Sequence, residues 1–151
     1  MHIGNYLGLV HNSEKDMAKA FTLVAAHHAV EPDIRQTCEL MASWSANHVE
    51  NLKPLIAKYS EEKNKEPNKL TRTLFDKPRS GSLGLLRDLH DLWLLANEVK
   101  ICWIVLLQAA QALRDKDLEL SCQQFSAQTK QQHDWLLTRI KQSAPQSLVV
   151  A

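Results

Sequence analysis

Glycine and proline are scarce in this chain, four and five of 151 residues, about half their usual combined share. That shortage excludes collagen-like chains and turn-rich all-β folds, which need these residues at their repeats or reversals. An excess of charge of one sign is also missing: 18 Lys and Arg against 17 Asp and Glu leave a net +1. No global field therefore draws the chain to nucleic acid or an anionic membrane, and neither is an expected partner. The most basic stretch, Lys58 to Arg79, carries seven basic residues against four acidic ones and reads as a solvated loop. Long hydrophobic runs are absent too. The longest, Ile101 to Leu107, has seven residues, against the ~20 that cross a bilayer. The three cysteines, Cys38, Cys102 and Cys122, have no CxxC or His-paired zinc spacing. They are expected to be reduced, buried and inert. No basic region precedes the apolar residues of the N-terminus, so no secretory signal is expected and the expected location is cytoplasmic.

What is present is an ordinary globular mixture, 44% hydrophobic and 23% charged, in a length that suits one domain over residues 1–151. Its periodicity is helical almost throughout. Met17, Phe21, Val24 and His28 follow at steps of four and three, and Ser13 with Asp16 reads as a capping box, so a first helix is expected over about 13–30. Pro32 and Asp33 suit a new first turn. Cys38, Met41, Ser45, His48, Leu52, Leu55 and Tyr59 then share one face of a second helix over 32–59, with a kink or early end expected at Pro54. Residues 60–83 are polar and aperiodic apart from a possible short helix over 68–75, and are long enough to cross a bundle from end to end. A third helix over 82–113 is apolar nearly all round between Leu92 and Leu107, which marks it as the expected most buried element. A fourth over 117–143 ends at Ala144-Pro145. The expected fold is an all-α four-helix bundle with a long crossover between helices 2 and 3.

Function depends on the polar side chains that lie on apolar stripes, because an inward carboxylate is costly unless paired or bound to metal. Such residues are Glu14 and His28 on helix 1, Ser45 and His48 on helix 2, Asp91 and Glu98 on helix 3, and Thr129 and Gln132 on helix 4. Glu14 and His48 each lie 17 residues from the first turn, near residue 31, and Glu98 and Gln132 each lie 17 from the second, near residue 115. With equal rise per residue, each pair shares a level.

In architecture and in these inward positions the chain resembles the ferritin-like superfamily. Its di-iron members project a Glu from each of two helices and Glu-x-x-His from each of the other two. By that resemblance Glu14 and Glu98 match the single glutamates, and Ser45-Ala-Asn-His48 matches one Glu-x-x-His with Ser in place of Glu. Thr129-Lys-Gln-Gln132 matches the other with both ligands changed. The resemblance implies a reduced site, with one Fe, Mn or Zn ion on Glu14, His48 and Glu98, Ser45, Thr129 and Gln132 around them, and a redox or stress role. Against this stands a buried hydrogen-bond network in which His48 bridges carboxylates without metal, in a bundle that binds a protein or small ligand. His28, His90 and Asp91 form a second candidate polar cluster, with Asp91 expected to pair with Arg139. The apolar third helix is expected to be covered in a homodimer.

Overall fold

The computed structural model describes residues 1–70 and 72–150. Helical periodicity resolves into four α-helices, α1 (Ile3–His27), α2 (Pro32–Lys58), α3 (Gly81–Leu113) and α4 (Lys116–Leu148), with no strand among the described residues. α1 packs chiefly on α2 and α3 chiefly on α4; a smaller α1–α3 contact joins the two hairpins, and α2 barely touches α4. The result is an all-α bundle.

Two helix limits differ from the sequence expectation, the start of α1 and the end of α4, while α2 keeps its expected span and does not end early at Pro54. α1 begins ten residues before Ser13, because Ile3, Leu7 and Val10 extend the buried four-three stripe of Glu14, Met17, Phe21 and Val24. Ser13 is therefore a buried mid-helix residue and not a cap. Gly4 and Gly8 weaken the local helical signal, but they are needed for packing. A Cβ on Gly4 would lie 2.8 Å from the Glu62 carbonyl, and one on Gly8 would lie 2.9 Å from Asn68 Nδ2. α2 passes through Pro54 to Lys58. α4 passes Pro145 to Leu148, where Ser143 is buried and Ser147 Oγ donates to the Ser82 carbonyl at 3.0 Å. No helix forms among the described residues of 68–75; Thr71 lies outside them.

The described residues of 59–80 follow α1 closely. The Gly4 amide donates to the Glu62 carbonyl, Asn5 pairs with Asn64, Asn12 donates to the Asn68 carbonyl, and His27 meets Ser80 at the far end of the helix.

α3 corrects a larger expectation. Its buried face runs through Leu85, Asp88, Leu92, Leu95, Val99 and Cys102, whereas Leu94, Ile101 and Ile104 are exposed. The expected inward positions Asp91 and Glu98 therefore lie at the margin of the core, both half-buried, while Asp88 takes the buried place. A helix apolar all round has little asymmetry with which to select a face. By length and composition alone α3 is apolar enough to cross a membrane, and only 39% of its most apolar window is buried within the bundle.

The turn between α3 and α4 is fixed by local chemistry. Arg114 adopts a left-handed conformation (φ 54°) that ends α3, and Asp115 caps α4 by accepting from the Leu118 amide at 3.1 Å. Its other oxygen accepts from Lys58 Nζ at 2.8 Å and from the Tyr59 hydroxyl, tying the end of α2 to this turn. Burial pushes the Asp115 carboxyl up, but these hydrogen bonds and the Lys58 charge outweigh it and bring it down to about 2. A depressed carboxyl stabilises the fold in full above its ordinary value of 3.8 and loses that contribution as pH falls through about 2. Asp115→Asn keeps a cap but loses the charge, and should cost about 1–2 kcal/mol at neutral pH. In urea unfolding, the gap between wild type and variant should narrow as pH falls from 5 towards 2; a gap independent of pH would disprove the assignment.

Candidate functional site

The middle of the bundle holds a buried polar layer built from α1, α2 and α4. Glu14 continues the apolar stripe of α1 and is fully buried, as is His48 on α2. His48 Nδ1 donates to Glu14 Oε2, and His48 Nε2 lies 2.7 Å from Gln128 Oε1 on α4. Both ring nitrogens face oxygens. Phe125 packs at 4.5 Å between ring centroids and Trp103 edge-on at 6.3 Å, so aromatic rings close the layer.

One turn further along α4, Gln132 is also fully buried. Its Nε2 donates to the Met41 carbonyl at 2.9 Å and to Ser45 Oγ at 3.0 Å. Thr129 returns its hydroxyl to the Phe125 carbonyl on its own helix. Glu98 is only half-buried and accepts from the Cys102 thiol at 3.2 Å. Glu14 and His48 are therefore joined directly, Ser45 and Gln132 are joined beside them, and Glu98 is engaged on α3.

These residues do not fit a metal ion as they stand. A divalent cation needs several free lone pairs converging on one point. His48 commits both nitrogens and Glu98 commits Oε1 to the cysteine, which leaves Glu14 Oε1 and Gln132 Oε1 as buried oxygens without a partner from the chain. Among the described residues, no three His, Cys, Asp or Glu side chains are grouped to hold a metal. Nor are the thiols poised to react. Burial pushes Cys38 and Cys122 up to about 12, and burial together with Glu98 and Glu14 pushes Cys102 up as well.

Gln128 is not among the inward positions expected on helix 4. Phe125, Gln128 and Gln132 are nevertheless spaced by three and four, so the signal lay in the same stripe as Thr129. Asp88 was missed for the reason that misplaced the α3 face. It is fully buried and accepts from His28 Nε2 at 2.7 Å, from the Arg79 amide at 2.9 Å and from Arg79 Nη1 at 2.9 Å. Arg79 Nη2 also donates to Asp91 at 2.8 Å. The second cluster is thus His28, Asp88, Arg79 and Asp91, with His90 exposed. The expected Asp91–Arg139 pair does not form: Arg139 instead bonds Asp33 at 3.0 Å, because Asp91 faces the end of the 59–80 segment.

The chain matches no family model, no curated protein and no solved structure.

Removing one member of this buried pair leaves the other without its partner and away from water, so His48→Ala should lower the unfolding free energy by about 3–5 kcal/mol. The double variant Glu14→Met/His48→Leu removes both polar partners while keeping volume and should recover most of that loss. Chemical denaturation of both proteins tests the pairing, and a double variant as unstable as His48→Ala would refute it.

Proposed function

We propose that this chain is a ferritin-like four-helix bundle in which a metal-free hydrogen-bond network stands at the family's ligand positions, and that it works as a binding module for a small ligand or partner. The long crossover between α2 and α3 belongs to this reading. It is supported by the successive contacts of residues 59–80 along α1 and by the meeting of α2's end with Asp115. The observation that carries the functional reading is the engagement of His48 through both ring nitrogens. The competing reading places one Fe, Mn or Zn ion on Glu14, His48 and Glu98. It would require His48 to release Gln128 and Glu98 to leave Cys102, with the loss of two buried or half-buried hydrogen bonds.

Elemental mass spectrometry of protein purified without chelators separates the two readings. The network reading expects metal far below stoichiometry and a Tm unaffected by EDTA. It also expects His48→Ala to be strongly destabilised and Glu98→Ala to stay close to wild type, since Glu98 bonds only a neighbouring thiol. Near-stoichiometric metal that is lost in both variants would overturn it.

The same reading includes a homodimer, for which α3 supplies the apolar face. Leu94, Ile101 and Ile104 are 37%, 50% and 44% exposed and follow one another at helical spacing. Sedimentation should show a dimer that Ile101→Glu/Ile104→Glu converts to a monomer of unchanged helicity; a monomeric wild type would reject this assembly.

A further inference from the structure

A second polar cavity lies away from the mid-bundle layer, at the end where α1 begins and α2 finishes. It has a volume of about 540 Å³, within the size range of small-molecule sites, and is enclosed by α1, the last turns of α2 and residues 59–68. Its walls exist because the loop is fastened tightly to α1. Gly4 and Gly8 lack the Cβ atoms that would push the loop off, the Gly4 amide donates to the Glu62 carbonyl at 2.7 Å, and the Asn5–Asn64 and Asn12–Asn68 bonds hold the rest.

The lining is chemically one-sided. Lys53, Lys63 and Lys65 line it with one carboxylate, Glu66, while Lys53 Nζ also bonds Glu50 Oε1 at 3.0 Å, and Ile56 with Ala57 supplies an apolar wall. His11 also lines the cavity. Its Nε2 is buried without a hydrogen-bond partner from the chain, a state that costs desolvation free energy unless something meets it. Asn64 and Asn68 use their oxygens or backbone to fasten the loop, which leaves their side-chain amide nitrogens as further donors at the rim.

We infer that this cavity is a binding site for a small phosphorylated anion, held by Lys53, Lys63 and Lys65 with His11 Nε2 donating to a phosphate oxygen. The inference rests on the binding-module reading and supplies its ligand class. Two loop lysines and an imidazole lining one pocket, with Lys53 beside them able to exchange Glu50 for a ligand, suit a compact multivalent anion, since charge-assisted N–H···O⁻ bonds are the strong class of hydrogen bond. The apolar wall provides for the organic part of a phosphate monoester.

His11 offers an internal reporter. Burial holds it below its ordinary value, assisted by Lys15 and Lys53, while Glu50 opposes them; from the loop, Lys63, Lys65 and Glu66 share its cavity. An anion placed among these groups favours the protonated ring. Binding should therefore draw in a proton, and the midpoint of the His11 titration should rise by about one pH unit.

The experiment uses the full chain after EDTA dialysis, with inorganic phosphate and 5′-AMP as probes, followed by calorimetry and by NMR titration of the histidine ring protons. Saturable binding is expected, with the His11 midpoint raised while exposed His2 is unmoved. Lys63→Gln/Lys65→Gln, at two exposed loop positions, should bind at least about tenfold more weakly with an unchanged Tm in the absence of probe. Absence of saturable binding, or equal binding by the double variant, overturns the inference and leaves the mid-bundle reading standing. Binding that appears only when Fe, Mn or Zn is restored overturns both, because the anion would then be held by a metal.

Discussion

A carboxylate shut away from water must be paired, and Glu14 is the carboxylate around which the middle of this bundle is arranged. Its partner comes from α2, and the partner's second bond comes from α4. This matters because α2 and α4, although neighbours in the bundle, approach each other far less closely than its other adjacent helices. Long side chains cross that gap: Gln128 reaches His48, and Gln132 reaches Ser45 and the Met41 carbonyl. Phe125 and Trp103 fill the remaining space. The polar layer therefore does what close helix packing does elsewhere in the molecule. Its hydrogen bonds gain strength from the same exclusion of water that makes an unpaired group there so costly.

Each end of the bundle has its own carboxylate hub. Asp115 gathers the end of α2 and the start of α4, and Asp88 gathers the end of α1, the end of the connecting segment and the start of α3. Both are buried and accept at least three hydrogen bonds. The two hubs act differently. Asp115 is held by one exposed lysine, a phenol and a helix amide, so it stabilises through capping and local charge. Asp88 receives a histidine and both backbone and side chain of Arg79, and so fixes where residues 59–80 must end. Gly84 makes room for that arginine, since a Cβ there would lie 3.0 Å from Arg79.

Helix number, the two short turns and the Glu14–His48 meeting are legible in the sequence because each rests on a strong local rule. Turn residues cluster at 31–33 and 114–117, apolar residues recur at three and four, and equal distances from a turn place residues at one level. Helix ends were less legible. The glycines and prolines near them normally mark boundaries, but here Gly4 and Gly8 serve loop packing, while Pro54 and Pro145 lie within α2 and α4. The face of α3 could not be read at all from apolar periodicity, and every misplacement of a polar residue on that helix follows from this. The apolar pattern puts Asp91 and Glu98 inward and passes over Asp88.

That ambiguity gives the buried polar groups a role beyond stability. A helix carrying Leu94, Ile101 and Ile104 on one side and Leu92, Val99 and Leu106 on the other can bury comparable apolar area in more than one rotation. Hydrophobic burial, being non-directional, does not choose between them. Asp88 does, because only one rotation and height of α3 places its carboxylate against both His28 and the Arg79 amide; any other leaves a charge buried without donors. Cys102 and Trp103, both fully buried about four turns further along α3, follow from that choice, with Trp103 set against His48. Rotation about α3 is thus decided by a charge at one end of the helix, and the composition of the mid-bundle layer depends on it. The apolar side left outward is a consequence of the same selection.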